Sequence, residues 1–371
     1  MVASTEDWKR FFLDELEASA PEIETTDRVP EPLVARMAEL GVFRATVPGE
    51  HGGDGLALPE FQPYLEIAAM GPGCGRMFAH VGNGFWRPIV TYGTPEQHEV
   101  VRDMANGRAF CAFALTEPAG GTGRDLQSRA VPDGDGWRAT GRKHLITFAD
   151  RASHLILTVA TDERAAADSL TTFLVPRAEA NGLVIDSGQQ TMGLAGTGHS
   201  TVSFDDLWLD RSWQLGDVGQ GLEVAMSFLD YSRISLATCM VGVAQRALDE
   251  AAAHARRRVT FGRPIADRQA VQVMIADMAT DIAAGRALTR EAGRTFAAGT
   301  PVTATAAKTK LFCQSMVGRV TDLALRVCGG VGYVRGSPIE RLYRDARGFW
   351  FEEGTAEIQQ LVVARQVFRD G

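Results

Sequence analysis

Three long amphipathic stretches late in the chain, residues 222–258, 269–298 and 302–327, limit the fold more than any other feature. Each repeats apolar residues at helical spacing. They are parted by Phe261-Gly262-Arg263-Pro264 and by Gly299-Thr300-Pro301, and Pro301 suits the first turn of a helix. Helices of this length, joined by short turns, bury their apolar stripes against one another. The expected arrangement is a bundle of long antiparallel helices. Residues 1–110 are also expected to be helical: Val34, Met37, Ala38 and Leu40 share a face that Gly41 ends, and the pattern resumes over 59–69 and 95–105.

Between these regions the period drops from about 3.6 to about 2. Asp133-Gly134-Asp135-Gly136 reads as a turn feeding a hairpin arm from Trp137 to Gly141. Residues 154–160, 170–175 and 201–207 are further short strands between turn signals. The expected organisation is an N-terminal α-helical domain (1–110), a small middle β-domain of barrel or sandwich type (111–215) and a C-terminal four-helix bundle (216–371), an α+β multidomain chain. The glycine-rich run from Val47 to Gly55 has no strand leading in and no Lys-Ser/Thr behind it, so it is a structural loop rather than a phosphate cradle.

Composition narrows the function. At 371 residues and 45% hydrophobic, the chain can bury a large core, and its formal charge of -8 disfavours a nucleic-acid partner. Residues 1–7 are acidic and polar, without the apolar core of a signal peptide, and no run is long enough to span a membrane. Five scattered cysteines with no CxxC pair, and seven histidines with no HxxxH spacing, suit a reducing cytoplasm and give metal chemistry no support.

One carboxylate stands out. Glu353 follows Phe349-Trp350-Phe351-Glu352 and precedes Gly354-Thr355 and an apolar helical run. Apolar walls would desolvate such a carboxylate and strengthen it as a base. Gly354 allows close backbone approach, and Thr355 can cap a helix starting at Ala356. Taken alone, a Glu beside a helix cap is more often plain capping chemistry.

The order of helices, β-domain and bundle ending in Glu-Gly-Thr resembles the acyl-CoA dehydrogenase family. The likeness is carried by Ala114-Leu115-Thr116-Glu117-Pro118-Ala119-Gly120-Gly121-Thr122, by Lys143-His144-Leu145-Ile146-Thr147, and by Arg258-Val259-Thr260-Phe261-Gly262 with Arg268-Gln269. Gly329-Gly330-Val331-Gly332-Tyr333 and the segment from Glu340 to Arg347 complete it. Each motif is modest alone, but together they span most of the chain in the right order.

The resemblance implies FAD as hydride acceptor, an acyl thioester of CoA or a carrier protein as substrate, and Glu353 as the base removing the α-proton. It implies FAD contacts at Leu115, Thr116, Gly121, Thr122, Leu145, Ile146, Thr147, Thr355 and Glu357. Arg258, Phe261, Gln269, Arg326, Gly329 and Gly330 are expected on the cofactor too, with Arg258, Phe261 and the Gly329-Gly330 backbone reaching the FAD of a neighbouring subunit. Thr122, Arg233, Glu352 and Gly354 are expected near the substrate. It also implies a homodimer or tetramer and an electron-transfer flavoprotein as electron acceptor. The plainer rivals are that Arg258 answers a helix dipole, Gly329-Gly330 stops a helix, and Thr147 merely suits a strand.

The chain departs from the family pattern at Leu145, where Trp is usual, and at Arg326, where Gln is usual. Thr122-Gly123 replaces Ser-Asp, and Ala195 replaces an Arg. Glu352 stands where an aromatic usually lines the acyl pocket, which suggests either a short, polar, amine-bearing acyl group or a carboxylate that points to water or pairs with an arginine such as Arg347. A flavin monooxygenase on the same scaffold, acting on a small amine, is the alternative function.

Overall fold

The computed structural model describes residues 1–120, 125–162 and 169–370. Helices precede and follow a central sheet. Within the C-terminal region, the helices Leu229–Arg257, Gln269–Ala297 and Thr303–Cys328 pack on one another, and the last helix, Ala356–Asp370, lies against Thr303–Cys328. The first of these is buried on nearly all sides from Tyr231 to Ala244, and then only at Ala247, Ala251 and Ala255. That four-residue spacing keeps one stripe inward as the helix runs out toward solvent. From the N-terminal region, Leu58–Met70 packs against the same helix.

Eight strands make the middle sheet: β1 Cys111–Ala114, β2 Arg129–Asp133, β3 Gly136–Ile146, β4 His154–Ala160, β5 Leu170–Pro176, β6 Leu183–Asp186, β7 Ser200–Asp210 and β8 Gln214–Leu215. Their order is β6-β7-β3-β2-β4-β5-β8, with β1 parallel to β4. The β2–β3 hairpin closes through Gly134-Asp135, with Asp133 opposite Gly136. Inward residues of six strands, Trp137, Leu157, Phe173 and Val202 among them, share one core, so the sheet curls round its own apolar face. Pairing between β3 and β7 slips between Lys143 and Ile146, and the bulge leaves Leu145 at a φ of 55°.

The helix Gly73–Gly82 had no clear signal, because glycine-rich GCGRMFAHVG is a poor intrinsic helix former. It forms because it is buried from Gly73 to Val81, so tertiary packing rather than propensity holds it. At its start all three regions meet. The buried Asp345 carboxylate accepts hydrogen bonds from the Gly73 N–H (3.1 Å) and the Leu194 N–H (2.7 Å). A Cβ on Gly73 would sit 2.7 Å from Leu194 Cδ2 and 2.8 Å from Asp345 Oδ2, so only glycine allows this approach.

Burial pushes the Asp345 carboxyl above its usual range, and the Leu194 N–H and Arg341 oppose that push. Replacing Asp345 with Ala leaves two buried N–H donors unsatisfied. It is expected to cost about 2–4 kcal/mol, read as a lowered denaturant midpoint; an unchanged midpoint would show that Asp345 does not join the regions.

Candidate active site

The helix Pro338–Gly348 ends in a turn that carries Glu353. Glu353 takes φ 52° and Gly354 φ 91°, and the helix Ala356–Asp370 follows at once. A left-handed conformation is costly for a residue with a Cβ and persists only where its surroundings fix it. Here Gln359 donates to the Glu353 carbonyl (3.1 Å) and the Gly354 carbonyl (3.3 Å), and Lys310 Nζ donates to the Gly354 carbonyl (2.6 Å). Gln359 and Lys310 are fully buried.

Polar side chains come close to Glu353, where the sequence leads one to expect apolar walls. His80 Nε2 lies 3.8 Å from Glu353 Oε1 and 3.1 Å from Ser232 Oγ. Arg233 is buried close by and binds Asp230 (3.2 Å); burial lowers its pKa while Asp230 and Glu353 raise it. Of the three aromatics before the carboxylates, Phe349 is buried but Phe351 is 77% exposed. A tight turn cannot keep consecutive side chains on one side, which is why the aromatic run does not wall Glu353.

Glu352 pairs with an arginine, but with Arg76 rather than Arg347. Arg76 Nη1 and Nη2 reach its two carboxylate oxygens at 2.9 and 2.7 Å, while the guanidinium lies over the Phe349 ring, 4.0 Å from its centroid. Arg76 is fully buried, so the bidentate pair offsets the desolvation of both charges. Burial raises the Glu352 pKa, yet Arg76 outweighs it and holds the carboxyl below its usual range. With both oxygens engaged, Glu352 has no free carboxylate for a substrate amine. Arg347 instead donates to the Gly318 carbonyl (3.4 Å) and Thr321 Oγ1 (3.2 Å). Arg76 and His80, four residues apart in an otherwise apolar run, are the polar pair whose spacing marks one face of a buried helix turned toward this turn.

The end of β3 comes to the same place. The Phe148 N–H donates to the Thr197 carbonyl (2.8 Å), and Phe148 stacks on Phe78 at 4.4 Å between centroids. Thr197 Oγ1 is 2.8 Å from His199 Nδ1, and His199 feels both Glu352 and Arg76. Leu145 is 44% exposed, Ile146 is buried and Thr147 half-buried, so a hydroxyl and an apolar side chain face outward at this edge.

Leu115 is buried and Thr116 half-buried, in the loop after β1. That loop is pinned by Lys143, whose Nζ donates to the Leu115 carbonyl (3.2 Å) and Glu117 Oε1 (2.8 Å). Glu117 also accepts from the Gln127 and Ser128 N–H groups (2.6 and 3.0 Å). Burial brings the Lys143 ammonium down to about 8 against the pull of Glu117. Gly121 and Thr122 lie outside the described residues. Thr355 and Glu357 are exposed at the start of the last helix, and a hydrogen bond from Thr355 lowers the Glu357 pKa.

The remaining candidates are not brought to Glu353. Arg258, Phe261, Gln269, Arg326, Gly329 and Gly330 are all exposed, Phe261 at 97% and at a φ of 50°. They lie at or near ends of the long helices, whereas Arg233 and Lys310 lie toward the opposite ends of two of them. At about 1.5 Å per residue, the helix from Arg233 to Arg257 is roughly 36 Å long. A single chain therefore offers two separate clusters.

The residues at hand suit FAD: Leu145 and Thr147 present an apolar and hydroxyl edge to a flat ring, and exposed Arg258 and Phe261 present a cation and an aromatic face.

Comparison with known sequences identifies the family. Residues 3–108, 112–207 and 219–368 match the N-terminal, middle and C-terminal domains of acyl-CoA dehydrogenase. The chain belongs to the acyl-CoA dehydrogenase family. It is 34% identical over 364 residues to the mitochondrial short-chain specific acyl-CoA dehydrogenase of Bos taurus, covering 97% of this chain and 88% of that one. It is 32% identical over 351 residues to the caffeyl-CoA reductase-Etf complex subunit CarC of Acetobacterium woodii, covering 94% and 92%. The butyryl-CoA dehydrogenase structure from Megasphaera elsdenii superposes with a TM-score of 0.93 at 27% identity, covering 98% of each chain. Members of this family are flavoproteins and oxidoreductases acting on CH–CH groups. No helix among the described residues is long and apolar enough to cross a membrane.

Removing Arg76 alone is expected to strand the Glu352 charge. R76M should lose about 3 kcal/mol of stability, and the R76M/E352Q double variant should recover most of it in the same denaturant melts. Additive losses would show that the two side chains are not coupled.

Proposed function

We propose that this chain catalyses FAD-dependent α,β-dehydrogenation of a short acyl-CoA to the trans-2-enoyl thioester, with Glu353 as the base. The observation that carries this is Glu353 itself, a carboxylate on a left-handed turn fixed by buried donors. Bound FAD would supply the acceptor for the hydride that leaves the β-carbon. Glu353 takes the α-proton and holds it on its carboxylate, and in the reverse direction would return it to the same carbon. The backbone N–H of Glu353 is suited to the thioester oxygen as enolate charge develops. Leu115, Thr116, Leu145, Ile146, Thr147, Thr355 and Glu357 would hold the flavin from within the chain, and Gly121 and Thr122 join that set by resemblance. Arg258, Phe261, Gln269, Arg326, Gly329 and Gly330 hold it from a second copy, which accounts for their exposure far from Glu353. A homodimer or dimer of dimers follows.

The polar wall of His80 and the Arg76–Glu352 pair disfavours a long aliphatic chain, because burying methylenes against charged groups gains little. The similarity to a short-chain enzyme supports the same size of acyl group. Gly354 and Arg233 border this space. An electron-transfer flavoprotein is the proposed acceptor, supported by the relative from an Etf complex.

Glu353→Gln is the test. It should keep FAD and thioester binding and lower dye-coupled turnover of butyryl-CoA by about a thousandfold or more. Wild-type turnover in E353Q would sink the assignment. Activity that demands oxygen and reduced flavin, with none on butyryl-CoA under anaerobic conditions, would favour the monooxygenase instead.

A further inference from the structure

Resting on Glu353 as the base, we propose that Lys310 is a positioning residue: its buried ammonium holds the Gly354 carbonyl and so aims both the Glu353 carboxylate and the Glu353 N–H. Lys310 sits on the helix Thr303–Cys328, fully buried, and its ammonium donates to the Gly354 carbonyl at 2.6 Å. A lysine this deep is costly unless its charge is answered. The groups that face it are Glu352 and Glu353 from the turn and Arg233 from the helix Leu229–Arg257. Burial brings its pKa down to about 8, with the two glutamates pulling the other way.

The geometry explains why the cost is tolerated. The turn places Glu353 and then Gly354 at positive φ, a sequence of conformations that relaxes unless several contacts oppose it. Arg76 fixes the residue before the base by both carboxylate oxygens, and Lys310 fixes the residue after it by the carbonyl. The residues flanking Glu353 are therefore held from two sides by buried cations on different helices, one through a side chain and one through the backbone. Gln359 adds a neutral donor to the Glu353 and Gly354 carbonyls. If Lys310 is lost, Gly354 can rotate toward a right-handed or extended conformation and take the base with it. Substrate binding, which draws on many other contacts, should suffer much less.

The test uses the full flavin-loaded protein and Lys310→Met, which keeps length and removes donor and charge. Four quantities are read: flavin content, melting temperature, the Kd of butyryl-CoA, and kcat with its isotope effect for butyryl-CoA deuterated at the α-carbon. The proposal expects flavin content and Kd within about threefold of wild type, kcat down at least about tenfold, and a larger α-deuterium isotope effect as proton removal slows. Folded K310M with kcat and isotope effect unchanged would overturn it, as would a kcat loss that merely follows lost flavin. Lys310→Gln keeps a neutral donor and carries the same test if K310M does not fold. It should lose less, about threefold to tenfold, and wild-type behaviour in folded K310Q would equally overturn the proposal. E353Q run alongside separates the cases: active E353Q removes the base itself, whereas inactive E353Q with unaffected K310M removes only the role of Lys310.

Discussion

A glutamate held in the left-handed region of backbone space is the constraint on which the rest of this structure turns. Strain of this kind costs about 1–3 kcal/mol, and the chain meets it with contacts drawn from separate elements. Lys310 comes from one long helix, Gln359 from the last helix, and Arg76 from a short helix in the N-terminal region. Each of the three is fully or almost fully buried, so each interaction is shielded from competing water. The bundle, the sheet and the N-terminal helices can be read as the scaffold that keeps these donors in place.

Asp345 extends the same logic to the domain level. Its carboxylate lies eight residues before Glu353 and receives N–H groups from the N-terminal and middle regions. The turn is thereby referenced to all three regions at once, and Gly73 is small because Asp345 and Leu194 crowd it. The buried Lys143–Glu117 pair does for the loop after β1 what Lys310 does for the base turn: a cation ties down backbone that no regular structure supports. Buried ion pairs of this sort add little net stability compared with apolar packing, but they fix geometry.

Much of the architecture was legible because long elements carry strong periodicity. The helices over 229–257, 269–297 and 303–328 announce themselves through apolar spacing, and the β2–β3 hairpin through Asp133-Gly134-Asp135-Gly136. The helix Gly73–Gly82 was not legible, since its stability lies in burial on every face and its residues have weak helical preference. With it went Arg76 and His80. The arginine partner of Glu352 was expected close in sequence, at Arg347, and is found 276 positions away at Arg76. Composition cannot reveal such a pairing, because it depends on how a helix and a distant turn dock. The polar groups beside Glu353 are hidden from the sequence for the same reason: adjacent aromatics suggest an apolar wall, yet the turn sends Phe351 outward and brings His80 near.

The central claim is that a carboxylate on this turn removes a proton from the carbon beside a thioester while the flavin is reduced. Mixing the flavin-loaded protein anaerobically with butyryl-CoA and following the yellow absorption band tests it most directly. Rapid bleaching is expected, slowed by deuterium at the α-carbon and accompanied by crotonyl-CoA in the quenched mixture. Bleaching that is indifferent to α-deuterium, or a band that saturated short thioesters leave untouched, would contradict it.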